Sequence, residues 1–94
     1  MMNVKDIDAK LAELGITYTS FEVFMAYAKD AGNWSGTPCV GGNVGGSKAE
    51  RGNLTQLKKA GLIQTFVSDR NTFVEFTKEG IAFALIMGVE IRNA

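Results

Sequence analysis

An α+β domain, helical at both ends with a small β-hairpin between, is the fold class this sequence predicts. Three observations carry the prediction. Residues 3–31 hold two helix-period apolar stripes separated by a glycine. Residues 47–80, SKAERGNLTQLKKAGLIQTFVSDRNTFVEFTKEG, read in order as capped helix, glycine stop, strand, polar turn, strand and the start of another helix. The chain has 94 residues, room for one domain over residues 1–94.

The first helix spans about residues 3–14. Val4, Ile7, Leu11 and Leu14 form one stripe, Asn3 supplies a cap, and Asp6 and Asp8 suit the positive end. Gly15 provides a left-handed stop, and Ile16 folds back on the last turn. The second helix covers residues 20–31. Thr19 and Glu22 have capping-box spacing, Phe21, Phe24, Met25 and Ala28 form the inner face, and Gly32 ends it. Residues 33–46, NWSGTPCVGGNVGG, predict a loop with at most one helical turn around Thr37 to Val40, anchored by Trp34.

A third helix runs from Ser47 to Ala60, with Ser47 and Glu50 again at capping-box spacing. Leu54 and Leu57 face inward. At 100° per residue Lys48, Gly52, Thr55, Gln56 and Lys59 face outward, with Arg51 beside them. Gly61 stops the helix and Leu62 packs back. Leu62 to Ser68 and Phe73 to Thr77 are β-branched and aromatic runs, joined by the turn residues 69–72. Thr77 caps a last helix over residues 78–87 that is apolar nearly all round. Such a helix needs burial on every side, which in so short a chain predicts a partner subunit, here a second copy. Gly88 ends it, and Val89 and Ile91 predict a short extended tail.

A 46% hydrophobic and 21% charged composition is that of a soluble globular protein. Zero net charge argues against a strongly basic protein that coats nucleic acid. The charge is uneven, however. Residues 33–72 carry Lys48, Arg51, Lys58, Lys59 and Arg70 against Glu50 and Asp69, a surplus of three positive charges.

The chemistry available is limited. Histidine is absent, which removes the usual general base and a common metal ligand. Cys39 is the one cysteine, with no base near it in sequence, and reads as a small buried thiol. The carboxylates pair in no recognisable cleft, so neither an enzyme nor a metal or cofactor site is expected. GGNVGGSK has the glycines of a phosphate loop, but Ser47 precedes Lys48 and no strand leads in. No segment is long and apolar enough to span a membrane, and a single cysteine suits a reducing compartment, so a cytoplasmic protein is expected.

LTQLKKAGLIQTFVSDRNTFVEFTKEG resembles the winged helix-turn-helix family, and loosely its MarR-like and small phage or plasmid regulator branches. Leu54, Leu57, Ala60, Gly61, Leu62 and Ile63 are similar to that family's passage from recognition helix to wing. Phe76-Thr77-Lys78-Glu79-Gly80 is similar to its exit from the wing. The match covers about a third of the chain. The resemblance implies a small winged-helix domain with a two-stranded wing, residues 62–77, and a C-terminal apolar helix. The helix 47–60 would be the recognition helix in a DNA major groove. Lys48, Arg51, Gly52, Thr55, Gln56, Lys59, Arg70 and Asn71 would then be the DNA-binding residues. Gln56 suits an adenine edge, Lys48 or Lys59 a guanine or phosphate, and Arg70 at the wing tip the backbone or minor groove. One departure stands out. Where the family has a helix bracing the recognition helix, this chain has the glycine-rich loop 35–46.

Two functions therefore stay open. One is a DNA-binding transcriptional regulator acting on double-stranded DNA as a homodimer through the helix 78–87. The other is a winged-helix protein–protein interaction module, such as a phage or mobile-element protein that binds and inhibits a host protein.

Overall fold

The computed structural model describes residues 4–44 and 48–92. The elements follow in the order α1 (Val4–Leu14), α2 (Tyr18–Asp30), a single 3₁₀ turn (Ala31–Trp34), α3 (Lys48–Lys59), β1 (Ile63–Ser68), β2 (Asn71–Phe76) and α4 (Lys78–Ile86). This is a small α+β fold in which an antiparallel hairpin is followed by a C-terminal helix. The proposed caps Asn3 and Ser47 lie outside the described residues, as do the side chains of Val4, Lys48 and Glu50.

Three helices end in the same way. Gly15, Gly61 and Gly88 adopt φ of 74°, 78° and 89°, which only glycine reaches without penalty. The next residue then bonds back across the last turn: Ile16 N–H to Leu11 C=O (3.0 Å), Leu62 N–H to Leu57 C=O (3.1 Å) and Val89 N–H to Ala84 C=O (2.9 Å). Each stop therefore satisfies otherwise orphaned carbonyls and turns an apolar residue inward. Ile16 and Leu62 are buried.

The start of α2 differs from expectation. Thr17, not Thr19, is the N-cap, and its Oγ1 accepts from Ser20 N–H at 3.1 Å. The earlier start wins because it buries Ser20, whose hydroxyl donates to Asn53 Oδ1 on α3 at 3.0 Å. A cap at Thr19 would forfeit that bond. The end differs too. Gly32 does not stop α2; the helix tightens into the 3₁₀ turn and is closed by Gly36 N–H bonding to Ala31 C=O at 2.9 Å. Ser35 and Gly36 take the left-handed conformations there, at φ 55° and 94°.

Thr37 to Val40 form no helical turn. Pro38 C=O accepts from Val74 N–H and Val40 N–H donates to Thr72 C=O, both at 2.8 Å. Cys39 thereby pairs antiparallel with Phe73, and the segment lies along β2 as a short third strand. Proline favours extended backbone and lacks only a donor that an edge position does not need. The loop covers the otherwise open edge of β2.

In the hairpin, Ile63 pairs with Phe76 and Ser68 with Asn71. The turn is shorter than expected. Only Asp69 and Arg70 lie outside the strands, both with positive φ (49° and 69°), as a two-residue type I′ turn requires. Asn71 and Thr72 belong to β2, because the right-handed twist of the strands favours this tight turn over a four-residue one.

One core unites Leu11, Phe21, Phe24, Tyr27, Leu57, Leu62, Val74, Phe76 and Phe83. Burying a side chain such as Phe24 or Leu57 contributes about 1.5–3 kcal/mol. Phe24 packs edge-on against Phe76 (5.8 Å between centroids) and tilted against Phe83 (5.4 Å), joining α2 to the hairpin and α4. α4 is buried only on the side of Phe83, Ala84 and Met87. Leu85 and Ile86 remain 61% and 50% exposed, so within one chain the helix is not covered all round. The residues after it pair with no strand, although Ile91 is buried. No helix among the described residues is long and apolar enough to cross a membrane.

Candidate nucleic-acid interface

The junction that aims the candidate site is made by Thr77. Its hydroxyl donates to Gly61 C=O at 2.6 Å and accepts from Gly80 N–H at 2.9 Å. Its own N–H donates to Leu62 C=O at 3.1 Å. One residue thus caps α4 and fastens the end of α3 to the end of β2. Gly80 is required beside it, since a Cβ there would collide with the Leu62 carbonyl oxygen. The T-x-x-G motif is therefore a mechanical coupling between the helix and the hairpin that follows it.

On the other side, the glycine-rich loop is held by Asp30. This buried carboxylate accepts from Asn33 Nδ2 (2.8 Å), Trp34 Nε1 (2.8 Å) and Asn43 Nδ2 (2.9 Å). Burial pushes its pKa up, but the bonds from Asn33, Asn43 and Trp34 outweigh that and hold the carboxyl below its ordinary range. Trp34 in turn stands edge-on to Phe73 of β2, with centroids 6.4 Å apart, so it anchors the loop as expected. Gly42 passes so close that a Cβ would sit 2.8 Å from Trp34 Cζ2.

Between this loop, α3 and the hairpin lies an open groove of about 570 Å³. α3 lines it with Arg51, Leu54, Thr55 and Lys58, and the hairpin with Thr65, Arg70, Asn71 and Thr72. No carboxylate is among its described lining residues. Among the described residues, Arg51, Lys58 and Arg70 make no ion pair. Three cations share a concave polar surface, an arrangement chemically suited to oxyanions. Asn71 Nδ2 donates to Asp69 C=O at 3.3 Å, which ties the side chain to the turn beside Arg70.

The residues expected to face DNA line two concave areas that meet at Thr55. Gly52, Gln56 and Lys59 line a separate shallow depression beside Leu14 and Gly15, reached by Thr55 as well. Lys48 lies in α3, with its side chain outside the described residues. Gln56 makes a bond within the fold, its Oε1 accepting from Thr17 N–H at 2.7 Å. It helps cap α2 and, with the Ser20–Asn53 bond, clasps α2 to α3. Thr55 donates its hydroxyl proton to Arg51 C=O at 3.1 Å.

Lys58 is the groove residue that the sequence reading omitted. Its signal was available: Arg51, Thr55 and Lys58 follow i, i+4, i+7 and share a helix face. Of the three donors to Asp30, Asn33 and Trp34 lie three and four residues on, while Asn43 lies thirteen residues away and leaves no local signal. Cys39 is buried as expected, and the described residues hold no cluster of three His, Cys, Asp or Glu side chains suited to a metal ion. No protein-family model, curated protein or solved structure matches the chain.

Proposed function

We propose that this chain is a DNA-binding protein of the transcriptional-regulator kind, with α3 as recognition helix and β1–β2 as wing. The observation that carries the reading is the groove between those two elements, with Arg51, Lys58 and Arg70 on its walls. The element order supports a winged-helix assignment: two helices, edge segment 38–40 on β2, helix, hairpin, helix. The missing bracing helix is replaced in this reading by the loop that Asp30 and Trp34 pin in place. The exposed Leu85 and Ile86 supply an apolar surface for a second copy, which would place two grooves on one duplex. The mechanism needs no cofactor.

Fluorescence anisotropy with a generic DNA duplex, titrated with salt, tests the reading. Binding at low salt that weakens steeply as salt rises is expected from phosphate contacts. Absence of binding at low salt sinks it. A protein–protein module is the second reading, favoured by the apolar side chains exposed on the hairpin, Phe66 and Val67, together with those of α4. A chain that ignores DNA and is pulled by those side chains into a defined complex would fit that alternative.

A further inference from the structure

We infer that the outer edge of β1 is a docking edge for a second copy of this chain, whose β1 pairs with it antiparallel about a twofold axis at Phe66. The contact is separate from the α4 face and does not rest on the DNA-binding reading. The sheet's two edges differ. Residues 38–40 cover β2, whereas no strand among the described residues pairs with the outer side of β1. The ladder shows which backbone groups this leaves open. Val74 N–H and Thr72 C=O point to the 38–40 segment. Directions alternate along an antiparallel pair, so Asn71, Phe73 and Glu75 point theirs to β1, where they face Ser68, Phe66 and Gln64. Thr65 and Val67 are left aiming N–H and C=O away from the sheet. The strand that carries them, IQTFVS, has none of the usual guards of an open edge: no charge, no proline, and a continuous register without a bulge. Val67 is 72% exposed and Phe66 40%.

Two observations select a second copy as the occupant. The first is a row of rings across the sheet. Trp34 stands edge-on to Phe73, and Phe73 stacks on Phe66 with centroids 5.5 Å apart. The row ends at the open edge. A twofold axis at Phe66 sets that ring opposite its own counterpart, in a non-hydrogen-bonded pair where side chains approach closest, and carries the row into the second copy. The second is that the strand complements itself in this register. Thr65 exchanges both backbone bonds with Val67 of the second copy, and Val67 does so with Thr65. Gln64 meets Ser68, and no like charges are opposed. The pairing uses up both open edges, so the dimer closes and leaves only the edges that residues 38–40 protect. The groove lies over the other face of the sheet, the one bearing Thr65 and Thr72, and stays open.

A single strand edge predicts a weak, transient contact. The test is sedimentation velocity from about 10 μM to about 1 mM, on the parent chain and on a Leu85→Ser, Ile86→Ser chain in which α4 no longer offers its apolar face. A monomer–dimer equilibrium is expected in both. Val67→Lys adds the charge that guards an edge, and Val67→Pro removes an N–H that β2 does not use. In the α4-substituted chain each is expected to raise the dissociation constant about tenfold or more, with the melting temperature of Val67→Lys close to that of its parent.

Cross-linking reads the register. Under mild oxidation Phe66→Cys is expected to form a disulfide between copies, since residues opposed in a non-hydrogen-bonded pair lie within disulfide range. Gln64→Cys and Ser68→Cys are each expected to cross-link poorly alone and readily when mixed. Cys39 is buried and stays out of the reaction. An α4-substituted chain that remains monomeric at about 1 mM overturns the inference. So does a dimer whose dissociation constant ignores both Val67 substitutions, or cross-linking that is equal at positions 64, 66 and 68.

Discussion

The two junctions that flank α3 hold by different chemistry. Behind it, Thr77 and Gly80 work through the backbone: one hydroxyl, one carbonyl and a glycine with no room for a methyl group. Ahead of it, Asp30 works through side chains, gathering three N–H donors around a buried charge. The first is short-range in space and leaves a compact motif in the sequence. The second collects residues from a loop with no regular pattern. A steric coupling of the first kind tolerates almost no change. A charged hub of the second kind depends on pH, and its failure frees a loop without disturbing the helix stops.

Gly80→Ala should have the largest effect. The new methyl group would collide with the Leu62 carbonyl, so α4 or the α3–β1 corner must move. A loss of about 3 kcal/mol or more is expected, at the upper end for overpacking. Urea denaturation measures it, and a loss under about 1 kcal/mol would mean the junction is loose.

Asp30→Asn comes next. The substitution leaves one acceptor oxygen for three donors, and a buried donor left unsatisfied costs about 1–3 kcal/mol. The pH dependence has a definite sign. Asp30 titrates lower in the fold than in the unfolded chain, so its contribution is complete above the ordinary carboxylate range and disappears as pH falls through the depressed folded value. The stability gap between parent and Asp30→Asn should therefore close on acidification below about pH 4. Thermal melts at several pH values would show it, and a gap independent of pH would deny Asp30 its charged role.

Thr77→Ala should cost about 1–2 kcal/mol, the value of a lost cap plus its bond to Gly61. Thr77→Ser restores most of it if the hydroxyl is what matters. The smallest effect should be a gain. Asp69→Asn with Arg70→Gly places residues suited to positive φ in the turn and should stabilise the chain by up to about 1 kcal/mol. The same pair removes a groove cation, so stability should rise while DNA affinity falls. A parallel rise of both would separate Arg70 from DNA binding.

The legible part of the site follows from helix geometry. Arg51, Thr55 and Lys59 are exposed because Leu54 and Leu57 occupy the opposite face, and the 3.6-residue period alone decides that. The period also predicts exposure for Gln56, which sits half-buried, and it is silent on partners. The Gln56 bond to Thr17 spans 39 positions in the chain, and no local pattern encodes it. The same limit explains the misplaced start of α2. TYTS offers several hydroxyls, and Ser20's contact with Asn53, 33 residues on, selects Thr17.

The sequence by itself determined the α+β class, the three glycine stops, the Thr77 cap and the hairpin. Each is a local preference of backbone conformation or side-chain hydrogen bonding, set within a few residues. Only the tertiary structure decided that residues 38–40 edge the sheet, that Asp30 holds the loop, that Gln56 bonds to Thr17, and that Arg51, Lys58 and Arg70 share one groove. Those outcomes depend on groups distant in the chain that meet when the core closes, and the choice among locally equal options is made by burial.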